Sequence, residues 1–193
     1  MEIVIRSPES RTERSRKAIL KAAFDLYQEL PYSTVTIEAI AARAGVGKPT
    51  IYRRWASKGP VLLAALLEYA PAPGFPDTGN FRDDLRAWVY GVADVLSDPV
   101  RGHLYRGLIG AAQHDPDLFD AWNEELYLSV RAPNAARLMA GQAAGDLPAG
   151  DIYLIADALV GAIWFRMLVT GRITTHAEAD TLIDMILVAP DAD

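Results

Sequence analysis

The chain of 193 residues contains no cysteine, and this absence excludes several classes of function together. Without a thiol there is no disulfide framework, no cysteine nucleophile, and no cysteine-ligated zinc or iron–sulfur site. Apolar runs are also short, because stretches such as Leu159 to Trp164 fall far below the roughly 20 residues that span a bilayer. Residues 1–10 include acidic side chains and no apolar segment, so no secretory signal is predicted. We therefore expect a cytoplasmic protein without a membrane partner.

Charge is distributed unevenly along the chain. Residues 1–70 hold 11 Lys and Arg against 7 Asp and Glu, whereas residues 71–193 hold 8 against 18. The net charge is therefore +4 in the first segment and −10 in the second, within a total of −6. A basic segment on an acidic body predicts a polyanionic partner for the first segment, with chance asymmetry of solvated faces as the alternative.

A stretch rich in proline and glycine, PAPGFPDTG at residues 71–79, follows the basic segment. Proline lacks the donor N–H and restricts the residue before it, so a helix cannot continue through this stretch. We predict a boundary here between an amino-terminal unit, residues 1–70, and a larger unit, residues 71–193.

Apolar residues recur at spacings of three and four on both sides of that boundary, and no segment alternates as a strand does. With a hydrophobic share of 51%, the chain can bury a core without cross-links. We predict an all-α fold of about nine helices. The predicted helices cover residues 11–30, 37–44, 48–55, 57–69, 80–97, 99–113, 116–142 with an interruption near Pro133, 149–172 and 176–188.

The most informative stretch is TIEAIAARAGVGKPTIYRRW at residues 36–55. Thr34 or Thr36 can cap a first short helix, and Gly45 supplies the positive φ that a sharp turn requires. The second helix begins near Lys48 and exposes cationic and hydroxyl groups that suit phosphates and base edges. A stiff elbow followed by such a helix predicts a DNA-binding helix-turn-helix.

On these residues the sequence resembles the TetR family of bacterial transcriptional regulators. The matching positions are Thr36, Ala41, Ala44, Gly45, Val46, Thr50, Ile51, Tyr52, Trp55, Lys58 and Leu62. The resemblance extends back through the first helix and covers residues 11–70. Arg54 stands where many members have His, and the Gly59-Pro60 step is less usual. We expect these departures to affect operator preference.

The resemblance implies a DNA-binding domain in residues 1–70 and an effector-binding and dimerisation domain in residues 71–193. The residues assigned to DNA on this basis are Thr36, Lys48, Pro49, Thr50, Tyr52, Arg53, Arg54 and Lys58. Thr36, Tyr52 and Lys58 are expected at phosphates. Lys48 and Arg53 are the candidates for reading bases, since Lys and Arg can donate to guanine O6 and N7.

Aromatic side chains are frequent in the second domain, where most belong to the core of an ordinary helical protein. The resemblance implies that this half also holds an apolar effector pocket. The candidate pocket residues are Trp88, Tyr105, Trp122, Trp164 and Phe165. Residues 150–172 are apolar on nearly all faces, which favours packing against a second copy of the chain.

The sequence gives little support for a phosphate-binding loop or a metal site. The Gly45–Lys48 stretch lacks the earlier glycine and the following hydroxyl of a phosphate-binding loop, and the three histidines lack carboxylates at metal-binding spacing. We predict no catalytic residue, metal or cofactor. The expected function is a homodimeric, ligand-responsive transcriptional repressor that binds palindromic operator DNA and is released by a small, mostly apolar effector, although the sequence does not distinguish repression from activation. The alternative is an all-helical small-molecule-binding protein or enzyme that has lost DNA binding.

Overall fold

The computed structural model describes residues 10–187, apart from the side chains at positions 126, 127 and 129. Within that range the chain forms ten α-helices and no β-strand, so the all-α prediction is confirmed. The helices are α1 (Arg11–Glu29), α2 (Ile37–Ala44), α3 (Lys48–Tyr52), α4 (Lys58–Tyr69), α5 (Phe81–Ser97), α6 (Arg101–Ala112), α7 (Pro116–Leu126), α8 (Ala132–Ala144), α9 (Ile152–Phe165) and α10 (His176–Ile186).

Two helices continue into short π-helical segments. One of these, Tyr127–Arg131, joins α7 to α8, and the other, Arg166–Thr170, extends α9. The seventh predicted helix is therefore two α-helices with a π-helical segment between them. Pro133 lies in the first turn of α8, where its missing N–H is tolerated, and the wider turn before it accommodates its ring. The predicted interruption thus takes the form of a change in helix type.

One hydrophobic core runs through the described chain, with α4 near its centre. α4 packs against α1 on one side and against α6 and α7 on the other. Five of its apolar side chains are buried: Val61, Leu62, Leu63, Ala65 and Leu66. A helix that is apolar on most sides belongs in the interior, and α4 is therefore shared between the amino-terminal helices and the body.

Two tyrosines add polar contacts between the amino-terminal helices and the body. The Tyr27 hydroxyl in α1 donates to the carbonyl oxygen of Leu104 in α6 at 2.6 Å. Burial raises the pKa of Tyr27, which keeps the donor protonated. Tyr32, between α1 and α2, donates to the carboxylate of Asp115 at 3.2 Å. Both bonds fix α1 and its following turn against α6 and the start of α7.

Residues 71–79 connect α4 to α5 without a helix, as predicted from their sequence. The backbone N–H of Thr78 donates to the buried carboxylate of Asp84 at 3.0 Å, and the Thr78 hydroxyl donates to it at 2.7 Å. Arg137 of α8 donates to the same carboxylate at 2.7 Å and to the carbonyl oxygen of Pro76 at 3.0 Å. Hydrogen bonds from Thr78 and Arg137 lower the pKa of Asp84. The connection is therefore fastened to α5 and α8.

Alanine substitutions at two glycines of α6, Gly107 and Gly110, should have opposite effects on stability. A Cβ added at Gly107 would clash with the Tyr27 hydroxyl, whereas a Cβ added at Gly110 would meet nothing within 4 Å. We expect Gly107→Ala to destabilise the protein by about 1–3 kcal/mol, because the buried tyrosine must move. Gly110→Ala, the matched control, should stabilise it by about 0.5 kcal/mol through helix propensity. Urea unfolding measures both, and equal effects would contradict this packing of Tyr27.

Candidate functional site

The first candidate site is the pair α2 and α3 with the turn between them. Thr36 precedes α2, and its hydroxyl accepts the N–H of Ala39 at 3.1 Å, so Thr36 rather than Thr34 is the cap. At the other end Gly45 adopts φ 65° and ψ 35°. The N–H of Val46 donates to the carbonyl oxygen of Ala41 at 3.0 Å. This left-handed closure ends α2 sharply and starts the turn into α3.

The orientation of α3 is fixed by one buried side chain. Ile51 is fully buried and belongs to the same core as Ile40 and Ala41 of α2. With that face inward, the opposite face of α3 and the turn after it lie in solvent. The exposed residues there are Lys48, Pro49, Tyr52, Arg53 and Arg54. Thr50 is half-buried, and Tyr52 is 52% exposed, so the Tyr52 ring is available to a partner.

Lys48 has an internal partner on this surface. Its ammonium lies 2.9 Å from the carboxylate of Glu38 in α2, and this hydrogen bond raises the pKa of Lys48. Both side chains are exposed, and exposed ion pairs contribute little net free energy. Lys48 can therefore exchange the carboxylate for another acceptor at small cost.

Lys58, which the resemblance assigns to a phosphate, has hydrogen-bond partners within the protein. It is the first residue of α4, and its ammonium donates to the carbonyl oxygens of Tyr32 at 2.9 Å and Val35 at 3.1 Å. The ammonium also lies 4.5 Å from the centre of the Tyr32 ring. Burial lowers the pKa of Lys58. These internal contacts tie the start of α4 to the connection between α1 and α2.

The second candidate site is an apolar cavity of about 270 Å³ lined by residues of α4, the connection after it and the body helices. Four of the predicted pocket residues line it: Trp88, Tyr105, Trp122 and Trp164. The rings of the last three meet edge to face, with centroids 5.9–6.5 Å apart, an arrangement that aromatic pairs favour.

Phe165, the fifth predicted pocket residue, is 57% exposed and does not line the cavity. Consecutive residues of an α-helix are rotated by about 100°. With Trp164 turned toward the cavity, its neighbour is carried to the outer surface of α9. The presence of aromatic residues in the sequence alone could not show that Trp164 faces the cavity and Phe165 faces outward.

Several cavity residues were missed by sequence reasoning because they are not aromatic. Leu63 and Leu67 of α4 and Pro73 of the connection form part of the wall, and Asn134 of α8 adds a polar group. The Tyr105 hydroxyl donates to the carbonyl oxygen of Ala70 at the end of α4 at 3.0 Å. Burial raises the pKa of Tyr105 to about 12. The cavity is therefore in direct contact with α4.

The outer face of α9 and of its π-helical extension forms an apolar stripe, called the α9 stripe. Its members recur every three or four residues: Leu154, Ala158, Ala162, Phe165 and Val169. Within the described residues one helical stretch, Ile152–Thr170, is long and apolar enough by composition to cross a membrane, and 22% of it is buried. Its inner face, with Leu159, Ile163 and Met167, belongs to the core. In residues 10–187 no three acidic or histidine side chains form a group that could hold a metal ion.

Two family models cover most of the chain. One described as "Bacterial regulatory proteins, tetR family" matches residues 19–65, and one described as "Tetracyclin repressor-like, C-terminal domain" matches residues 75–186. A helix-turn-helix followed by such a helical body defines a class of bacterial transcriptional regulators. Within that class, the chain belongs to the TetR family.

Individual relatives are also named as transcriptional regulators. The uncharacterized HTH-type transcriptional regulator YdeS of Bacillus subtilis (strain 168) is 34% identical over 163 residues, which cover 83% of this chain and 82% of YdeS. The DNA-binding transcriptional repressor TetR of Mycobacteroides abscessus is 29% identical over 95% of this chain and 98% of that protein. The crystal structure of the TetR family transcription regulator SCO0332 has a TM-score of 0.73 at 32% identity and covers 89% of this chain and 95% of that chain. The protein is thus a DNA-binding transcriptional regulator and not an enzyme.

Substitutions at Lys58 and Arg53 distinguish an internal cation from one that faces DNA. We expect Lys58→Met to lower the free energy of unfolding by about 1–2 kcal/mol, because two carbonyl oxygens lose their donor. It should leave the salt dependence of DNA binding unchanged. Arg53→Met, the matched control on an exposed side chain, should keep the stability and relax the base preference of DNA binding, as expected for a side chain that reads base edges. A reduced salt slope for Lys58→Met would contradict its internal role.

Proposed function

We propose that the protein is a cytoplasmic, homodimeric repressor that binds palindromic operator DNA and is released by a small, mostly apolar effector. The observation that carries this proposal is the position of α4. It begins beside the helix-turn-helix, and its later residues line the apolar cavity. The M. abscessus relative is named a transcriptional repressor, which supports the direction of regulation.

The exposed face of α3 supports an assignment of DNA contacts. Thr36 and Tyr52 contact phosphates through their hydroxyl groups, and Lys48 and Arg53 read base edges. Phosphate contacts fix the position of the protein, whereas base contacts give specificity. The residues beside these in the groove are Pro49, Thr50 and Arg54. Lys58 is left out of the contact set because its ammonium is bonded internally.

The shortness of α3 supports a dimer. A helix of 5 residues reads few base pairs, so specific binding requires two copies separated by one helical turn of DNA or a multiple of it. The α9 stripe is the surface that a second copy would cover. The inner face of α9 packs in the core of its own chain, so the outer face is the one left for a partner. Leu154 is 68% exposed and Val169 is 67% exposed, and a two-fold interface would pair the stripe with itself. Packing against a second copy is also favoured over insertion of this helix into a membrane, because insertion would require its inner face to leave the core.

The cavity wall supports a coupling between effector and operator. An effector in the cavity contacts Leu63 and Leu67 of α4. α1 packs against both α4 and α2, so displacement of α4 moves α1 and the helix-turn-helix with it. This changes the distance between the two recognition helices of the dimer. The effector must bind one arrangement more tightly than the other, because a ligand of equal affinity shifts nothing.

Binding to the DNA upstream of its own coding sequence tests the proposed function. We expect a specific complex whose affinity falls by about 10³–10⁵ between 50 and 200 mM salt, as for proteins that neutralise about 6–10 phosphates. In selections from an operator library, Lys48→Ala or Arg53→Ala should change the base preference. Tyr52→Phe should weaken all sequences alike. A flat salt response or an unchanged preference in both lysine and arginine variants would contradict the assignment.

A charge placed on the α9 stripe tests the dimer. We expect Phe165→Glu to give a monomer in sedimentation velocity and to lower operator affinity about 100-fold or more, because the two half-sites are no longer bound together. Val100→Glu is the matched control, since Val100 is also exposed but lies between α5 and α6. Circular dichroism checks that both variants are folded. A dimeric Phe165→Glu protein would show that another surface joins the two copies.

A further inference from the structure

The wall of the apolar cavity has a buried part and a half-exposed part. The buried part includes Leu63, Trp88 and Tyr105, each at most 4% exposed. The half-exposed part includes Arg131, the last residue of the π-helical segment between α7 and α8, and Asp157 of α9, whose side chains are 33% and 55% exposed. Among the described residues of the wall, these two are the charged ones. The cavity is therefore apolar where it is enclosed and charged where its wall meets solvent.

Arg131 joins the π-helical segment to α9 at this part of the wall. The segment itself packs against α7 and α8. Its Arg131 guanidinium lies 2.9 Å from one carboxylate oxygen of Asp157 and donates to the other at 3.2 Å. The guanidinium also lies 5.2 Å from the centre of the Tyr153 ring, one turn earlier in α9. Tyr153 and Asp157 both line the cavity, so the guanidinium lies at its edge.

The two partners of this ion pair are held unequally. Among the described residues, the Asp157 carboxylate bonds Arg131 alone, and it is the more exposed of the two side chains. The guanidinium has a second contact, the Tyr153 ring, and an aromatic face attracts and supports a planar cation. Exposed ion pairs contribute little net free energy, so another carboxylate can replace Asp157 at small cost. Asp157 then turns into solvent, while Arg131 stays beside the ring.

We propose that the effector is an amphipathic organic acid whose carboxylate pairs with Arg131 in place of Asp157. This inference rests on the proposed function, since it names the chemical class of the effector. A guanidinium presents parallel N–H groups that match the two oxygens of a carboxylate. The rings of Tyr105, Trp122 and Trp164 line the same cavity and favour a flat apolar body for the rest of the molecule.

Two probes of nearly the same shape test this inference with the purified full chain and without DNA. 1-Naphthylacetate has a carboxylate where 1-naphthylacetamide has a neutral amide. We expect the wild type to bind the carboxylate about tenfold more tightly in equilibrium dialysis at neutral pH, because hydrogen bonds between charged groups are the stronger ones. Arg131→Gln removes the positive charge and should bind both probes alike.

Asp157→Asn should change the carboxylate affinity in the opposite direction. Without the competing carboxylate, the variant should bind 1-naphthylacetate about two- to fivefold more tightly than the wild type does, and the amide as before. If the ion pair served the structure of the wall alone, both substitutions would weaken both probes, and this result would contradict the proposed exchange. Should Arg131→Gln fail to fold, the Asp157→Asn comparison still decides.

Arg106→Gln is the matched control. Arg106 is an exposed arginine of α6 that does not line the cavity, so this variant loses the same charge and should keep the tenfold ratio. Thermal unfolding checks that every variant is folded.

Four results with the two probes would overturn the inference: equal binding by the wild type, a ratio that persists in Arg131→Gln, weaker carboxylate binding by Asp157→Asn, or failure of both probes to bind. Tighter binding of 1-naphthylmethylammonium than of 1-naphthylacetate would also overturn it, because Asp157 rather than Arg131 would then select the charge of the ligand.

Operator release is measured separately, so that the two proposals can fail independently. 1-Naphthylacetate that binds with the expected ratio but leaves the protein–operator complex intact would contradict the proposed release and support the ligand chemistry. Release of the operator by the acid and the amide at equal concentrations would support the proposed function and overturn the ligand chemistry.

Discussion

The burial of α4 is the constraint on which the rest of the structure depends. This helix supplies core side chains both to α1 and to α6 and α7, so the helix-turn-helix cannot pack independently of the body. Hydrogen bonds hold both of its ends: Lys58 bonds the connection before α2, and Tyr105 bonds Ala70 at the far end. The charge division of the sequence therefore does not mark a mechanical division, because the basic and acidic segments share one interior.

Local features were predictable from the sequence because local chemistry determines them. Gly45 closes α2 in the left-handed conformation, and Thr36 caps it with its own hydroxyl, as helix-end preferences require. Ile51 packs inward because its spacing from the turn allows one face of α3 to be buried. The proline- and glycine-rich connection also lacks a helix for a local reason, the missing donors of its prolines. In each case the determining residues lie within one or two turns of each other.

Features that depend on distant residues were not predictable in the same way. The internal hydrogen bonds of Lys58 were not predicted because its partners, the carbonyl oxygens of Tyr32 and Val35, lie far away in sequence. Phe165 was wrongly placed in the pocket because the rotation of α9 about its axis, set by packing in the core, decides which of its aromatic side chains face the cavity. The cavity as a whole requires α4 and the connection, which a search limited to aromatic residues omits.

Tyr105 gives α4 the mechanics of a lever. Its ring is part of the cavity wall, and its hydroxyl is bonded to the carbonyl oxygen that follows the helix. With 12 residues and a rise of 1.5 Å per residue, α4 is about 18 Å long. If its first turn pivoted about Lys58, a tilt of about 5° would displace the far end by about 1.5 Å, which is more than a hydrogen bond tolerates. A small movement of the Tyr105 ring at the far end is thus passed to the first turn as a tilt of the whole helix, without any change in the helix itself.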